Sequence, residues 1–321
     1  MSQKIVIIGA GMAGLACARR LASAGLTPVI LDKGRGIGGR MATRRVVVAG
    51  QEIRFDHGAQ YIKAQDQGFV SALETVPEAV AQWQITPDKQ RVVGVPGMSG
   101  LARALGAGLD IRQNVEVSRI AHGATGWQLE TGAGPMTARH LVLTIPAPQA
   151  HALMAASGGC DDDLARDLAR PRMEPCLTLM AAFAPDMPRP LVTRRSAADD
   201  LAWIAQDSAK PGRTGGAVTW VAQASPEWSM RYLVLDQDRI AALMLPLLAG
   251  VLGCAPEAAL YASAHRWRYA RTATPLGQPF LHRAAQAVHL GGDWCLGARV
   301  QDAWASGDAI ARDILEARHV A

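Results

Sequence analysis

Three glycine-bearing stretches hold the residue types from which this chain could do chemistry. The first is Gly9-Ala10-Gly11-Met12-Ala13-Gly14. An unbroken apolar run, residues 4–8 (KIVII), leads into it, and a helical segment to about residue 24 follows. A second apolar run, 28–31, ends in Asp32, eighteen residues after Gly14. This order is that of a dinucleotide-binding unit. Gly9 permits the tight turn, Gly11 admits a pyrophosphate to the backbone, and Gly14 lets helix and strand pack closely. The helix N-terminus supplies amides and a field that favours the anion. Asp32 would accept hydrogen bonds from adenosine ribose hydroxyls. The second stretch is KGRGIGGRM, residues 33–41, bounded by Lys33 and Met41. Gly38 and Gly39 leave its backbone unobstructed, and Arg40 offers a guanidinium fork to a phosphate. The third is Gly291-Gly292-Asp293, at the end of a short strand over residues 288–290.

The elements that must position these groups separate two cofactors. An NAD-binding unit has one pyrophosphate and little use for another glycine loop directly after its ribose-binding acid. FAD lies extended, and its isoalloxazine must be cradled by backbone far from the adenine. Taken alone, KGRGIGGRM fits an ordinary surface turn equally well. Two other stretches favour FAD. His57-Gly58-Ala59-Gln60-Tyr61 follows a hairpin, residues 45–48 and 52–55 around a turn at Ala49-Gly50. Near the C-terminus a helix over residues 300–317 begins with Val300 and Ala303. Ala303, Gly307, Ile310 and Ile314 form its inward stripe, with Asp308 and Arg312 outside. Asp293 can then bind a ribityl hydroxyl. The helix dipole can stabilise negative charge on the reduced flavin's N1–C2=O edge.

Composition narrows the classes. Of 321 residues, 49% are hydrophobic and 19% charged, so a packed core is expected. The net charge of +5 comes from scattered arginines that never form a run, which argues against nucleic acid. Five widely spaced cysteines without a CxxC argue against a disulfide framework and a zinc site. His57, His122, His140, His151 and His289 show no metal-ligand spacing, so no metal is expected. The most apolar stretch, 240–254, is too short to span a bilayer, and Pro246 interrupts it. With no signal peptide visible, a cytoplasmic protein without membrane partners is expected.

GGRMAT at residues 38–43, DHGAQYI at 56–62, HRWRY at 265–269 and GGDWCLGARVQDAWASG at 291–307 together resemble the renalase family. This is the small FAD-dependent branch of the amine-oxidase-like flavoproteins, and the last segment is most similar to bacterial members. The resemblance runs from Ile5 to Gly307. It implies an α/β fold, α+β overall: a Rossmann-type FAD-binding domain with a second, smaller sheet-based substrate domain, as in amine oxidases and p-hydroxybenzoate hydroxylase. It further implies an oxidase that takes a hydride from off-pathway dihydro isomers of NAD(P)H onto flavin N5. NAD(P)⁺ is thereby restored, and dioxygen is reduced to hydrogen peroxide. By the same analogy Val115 lies beside the adenine, and Thr144-Ile145-Pro146 ends a strand near the cofactor.

Gln60, Tyr61, Trp220, Trp267 and Arg268 are the candidates for the pocket around the flavin, with His265 beside Trp267. Trp267 offers a flat wall, and Arg268 a grip on phosphate or carboxamide. Each has a plainer reading as packing or a solvated side chain. True amine oxidases commonly place a lysine near flavin N5 and flank the amine with aromatic rings. Here no lysine follows Lys210, which falls in an expected loop, KPGRTGG. Amine oxidation or desaturation of another small metabolite is therefore the alternative, and an FAD-carrying binding protein without oxidase activity is a third. Cys295 stands near enough to Asp293 for a covalent link, but noncovalent FAD is expected. The FAD-binding domain is expected over residues 1–62, 98–150 and 280–321, and the substrate domain over 63–97 and 151–279. The latter should contain strands at 177–183, 201–206, 217–223 and 260–269 and a helix at 236–251.

Overall fold

In a computed structural model, residues 4–157, 160–213 and 215–320 are described. Strand Ile5–Ile8 is buried at every position, as its lack of polar alternation requires. It pairs in parallel with Val29–Leu31 on one side and His140–Leu143 on the other. Six strands make this sheet, in the order Leu281–Arg283, Val288–Leu290, His140–Leu143, Ile5–Ile8, Val29–Leu31, Asp110–Arg112. All run parallel except Leu281–Arg283, which is antiparallel to its neighbour. The sheet thus draws strands from both ends of the sequence. A three-stranded meander, Val117–Gly123, Gly126–Thr131 and Met136–Ala138, inserts between the parallel strands Asp110–Arg112 and His140–Leu143.

Helix Met12–Ser23 packs against the long C-terminal helix, Val300–Val320, through Leu15, Ala18 and Leu21 on one side and Ile310, Ala311 and Ile314 on the other. Their crossing is closest at Gly307. A Cβ there would stand 1.9 Å from the Ala13 carbonyl oxygen. One detail departs from the helical pattern expected. Asp308 is buried instead of outward, because Arg20 of the first helix and Arg312 one turn on both donate to its carboxylate.

The second sheet is antiparallel, ordered Thr193–Arg195, Leu201–Gln206, Val218–Ala224, Arg172–Phe183, Ala259–Thr274. Helix Gln237–Leu252 lays Ile240, Met244, Leu248 and Leu252 on its far face, a spacing of four each time. The Asp236 carboxylate caps that helix by accepting from the Arg239 amide at 2.8 Å. Pro246 does not interrupt it. The proline lies on the exposed side of an intact helix, where neighbouring carbonyls can turn to water. A hairpin, Val80–Thr86 with Lys89–Gly94, and helices Gln67–Glu74 and Met98–Leu105 share an apolar cluster with Trp203 and Trp304. Among the described residues no helix is long and apolar enough to cross a membrane.

Candidate functional site

The three glycine stretches meet on one cleft of about 2380 Å³, more than twice the roughly 300–1,000 Å³ of an ordinary small-ligand pocket. It runs from Asp32 and Val115 at one end to Trp267, Gly292 and Asp293 at the other.

At the Asp32 end the geometry is that of a nucleotide cradle. Gly9 turns with φ 110°, and a Cβ on Gly14 would stand 2.0 Å from the Gly9 carbonyl oxygen. Helix and strand can therefore meet only through glycine there. A Cβ on Gly11, by contrast, would touch nothing within 4 Å, so its backbone faces open space at the helix N-terminus. Gly11, Met12 and Ala13 line the cleft; Ala10 and Gly14 lie just behind. Asp32 receives the Ala10 amide on Oδ2 and the Gly34 amide on Oδ1, each at 2.6 Å, which fixes its carboxylate at the rim. Lys33 and Val115 complete this end, with the Val115 amide donating to the Asp32 carbonyl at 2.9 Å. Thr144 Oγ1 donates to the carbonyls of Ile8 and Gly9, and Pro146 begins the helix Ala147–Ala156 beside it.

KGRGIGGRM is no ordinary surface turn. The Gly38 amide bonds the Ala10 carbonyl at 2.8 Å, joining this loop to the first. Gly38 and Gly39 both have positive φ, 103° and 54°, and the Arg40 carbonyl accepts from the Ala59 amide. Arg40 and Asp293 hold each other by a fork of two hydrogen bonds, 2.7 and 2.6 Å, across 253 residues of sequence. The guanidinium expected to reach for a phosphate is thus partly spent on the acid expected to reach for a ribityl hydroxyl. Both still line the cleft, as do Met41, Val300 and Ala303.

His57, Gly58, Ala59, Gln60 and Tyr61 form the wall between these ends. The His57 ring stacks on Trp267 at 5.3 Å and meets His265 edge-on at 4.7 Å, while the Trp267 indole donates to the His57 carbonyl at 2.8 Å. Burial, then His265 and Arg44, press His57 down to about 3. Burial, then Arg44 and Arg266, bring His265 to about 4. Both imidazoles are neutral at ordinary pH. Arg268 lines the cleft next to Trp267. Pairing to the adjacent strand slips between Trp267 and Arg271, so strict alternation lapses at Arg268.

Trp220 is a correction. It is fully buried among Leu179, Ala181 and Met244 under the helix-covered face of the second sheet, away from the cleft. Strand alternation aims it at the core, which a lone tryptophan in a β run could not reveal. Trp203, passed over in the sequence, lines the cleft instead, with its ring 5.7 Å from Tyr61.

Lys210 lies in the loop expected for it, just after a 3-10 turn, but its side chain is wholly buried. Its Nζ lies 2.6 Å from Asp207 Oδ1, 3.1 Å from Asp56 Oδ2 and 3.2 Å from Gln60 Oε1. Arg213 donates to the same two carboxylates. Four buried charges thus balance beneath Gln60. Burial would raise the Asp56 carboxyl, but Lys210 and Arg213 outweigh it and hold the group below its ordinary value. Spacing along the chain carries no sign of this, because Asp56 lies about 150 residues from its partners.

The cleft joins both sheets and both ends of the chain, and the family comparison agrees. The family described as flavin containing amine oxidoreductase matches residues 66–315. The chain belongs to that family. An NAD(P)-binding Rossmann-like domain matches residues 7–73. The flavoprotein's fold is similar to that of putrescine oxidase bound to putrescine, with a TM-score of 0.70 at 14% identity over 98% of this chain and 99% of that one. It is also similar to cyclohexylamine oxidase from Brevibacterium oxydans IH-35A, with a TM-score of 0.65 at 14% identity over 99% and 100%. The chain is an FAD-dependent oxidoreductase, and FAD is its cofactor.

Proposed function

We propose that this flavoprotein oxidises off-pathway dihydro isomers of NAD(P)H. The observation that carries the reading is the charge of the cleft. Twelve arginine and lysine side chains line it against five carboxylates, and none of the five is free to receive a cationic substrate. Asp293 is taken by Arg40, Glu174 by Arg271, Glu116 by Lys33 and Glu52 by Arg54. Asp32 holds backbone amides. The pyrophosphate of FAD neutralises only part of this excess. The remainder, including Arg44 and Arg268, suits a second anionic dinucleotide and repels a protonated amine.

FAD fits the residues present. The open backbone at Gly11 would hold its pyrophosphate, Asp32 its adenosine ribose, and Asp293 its ribityl chain. The backbone at Gly58 and Gly292 would support the isoalloxazine. The bound cofactor supplies a hydride acceptor and a route for the electrons to dioxygen, giving peroxide. The protein's own contribution is placement. Trp267 presents a flat wall, Gln60 is locked by Lys210, and the neutral His57–His265 pair adds no further charge. Attachment is noncovalent, since Cys295 is fully buried, does not line the cleft, and has its thiol pushed up to about 12 by burial.

Residues 1–62, 98–150 and 280–321 would form the cofactor unit, and 63–97 with 151–279 the substrate unit. Helices Ala147–Ala156 and Asp162–Ala169 pack with the cofactor sheet through Met154, Leu164 and Leu168, which favours moving that boundary to about residue 170.

A second reading, amine oxidation, draws support from the Tyr61–Trp203 pair at the cleft, from buried Lys210, and from the amines in the names of the two similar structures. Anaerobic mixing of the yellow holoenzyme with each reagent separates the two readings. Loss of flavin absorbance with dihydronicotinamide isomers supports the proposal. Indifference to every isomer, with bleaching by amines, overturns it.

A further inference from the structure

Remote from the cleft, four side chains gather on the outer edge of the parallel sheet. His282 and His289 are directly opposite each other on the antiparallel strand pair Leu281–Arg283 and Val288–Leu290. Their rings stack at 3.9 Å, 16° from parallel. Asp313, on the C-terminal helix, reaches both: its Oδ2 lies 2.7 Å from His289 Nε2 and 3.3 Å from His282 Nδ1. All three ligand atoms lie within 4.8 Å of one another. Behind them His140 Nε2 stands 2.8 Å from His289 Nδ1.

We propose that His282, His289 and Asp313 form a binding site for a divalent transition metal of the zinc class. Ligand bonds of about 2.0–2.2 Å in tetrahedral geometry require ligand atoms roughly 3.3–3.5 Å apart. The longer carboxylate–imidazole separation, 3.3 Å, already meets this. Closing on an ion needs the carboxylate to withdraw from His289 by under an ångström and the part-exposed His282 ring to turn out of its stack, so that both imidazole lone pairs converge. The donor set, two imidazoles and a carboxylate, suits zinc and cobalt rather than calcium or magnesium, which prefer oxygen. The surroundings have the form of an outer coordination sphere. With Nε2 on the metal, His289 presents its Nδ1–H to His140, fixing tautomer and ring orientation. His289 is only 1% exposed, whereas the side chains of His282 and Asp313 are 29% and 36% exposed. An ion can enter from solvent and keep water as its fourth ligand. Bound there, it clips the edge strands to the helix that carries Val300 and Ala303 into the cleft. The spacing of His282, His289 and Asp313 in the chain gives no hint of this; only the cross-strand register and the helix overhead bring them together.

Tag-free holoenzyme, treated with chelator and dialysed, is titrated with zinc by calorimetry and with cobalt by visible absorption. One equivalent should bind, with the d–d bands of tetrahedral cobalt. At a hundredfold excess over Kd, zinc should raise the unfolding midpoint by roughly 4 °C. His282→Ala and Asp313→Asn, both partly exposed positions, should keep flavin absorbance and lose at least tenfold in affinity. His151→Ala, outside the cluster, should bind as the parent does. The proposal fails if folded parent protein takes up neither metal at micromolar concentrations. It fails equally if one equivalent binds undiminished in both variants, which would leave the cluster a hydrogen-bonded group alone.

Discussion

Lys210→Met tests whether the buried charges beneath Gln60 act as a unit. Asp56, Asp207, Lys210 and Arg213 have side chains no more than 4% exposed, so solvent cannot replace a missing partner. Methionine fills much of the lysine's volume but leaves two carboxylates sharing one guanidinium. Breaking a buried pair in this way costs about 3–5 kcal/mol. At an unfolding entropy near 2.1 cal/mol/K per residue, a chain of 321 residues loses about 1.5 °C per kcal/mol, so the midpoint should fall by roughly 4–7 °C. Adding Asp207→Asn restores the charge balance and should recover part of the loss, a coupling that separates electrostatics from packing. Thermal unfolding followed by flavin fluorescence reads both variants. A fall under about 1 °C for the single variant, or a further fall for the double, would refute the reasoning. Freed from Lys210, Gln60 should also raise KM more than it lowers kcat.

Arg44→Ala and Arg268→Ala should each raise KM for a dinucleotide substrate about tenfold and steepen neither amine turnover nor flavin loss, as initial rates would show. Gly307→Val drives a side chain into the Ala13 carbonyl and should abolish soluble, flavin-loaded protein, measured by the yield of yellow soluble material. His57 and His265 are neutral in the fold, with values near 3 and 4 against an unfolded value near 6.5. Their contribution to stability is therefore complete above about pH 6.5 and is lost as pH falls toward 4. Denaturation midpoints measured between pH 7 and 4 should decline accordingly, with Arg44 adding to the effect and Asp56 opposing it. Acid precipitation should leave all the flavin in the supernatant, for Cys295→Ser as for the parent.

The cofactor end was legible because its rules are local. A β-branched run, a glycine turn and an acid at fixed spacing describe one continuous piece of chain, and the strands at 201–206 and 288–290 fall where their apolar runs end. The glycine stretches apart, the sequence was silent on which distant side chains pair. Trp220 and Trp203 occupy similar apolar strands, and only the stacking of helix Gln237–Leu252 on one face decides which ring enters the core. Lys210 followed by Pro-Gly reads as a turn, and so it is. That its ammonium points inward depends on Asp56 arriving from a different hairpin. Asp308 was placed outside its helix for the same reason, since Arg20 supplies from another helix the partner that burial demands.

The Arg40–Asp293 clasp sets a timetable for biosynthesis. One jaw leaves the ribosome early and the other only after some 250 further residues, on the order of tens of seconds later. Until then the trough lacks its far wall, and the sheet lacks two of its six strands. Cofactor loading must wait until that second jaw has emerged, and a chain stopped before it would be colourless, open-edged and prone to degradation.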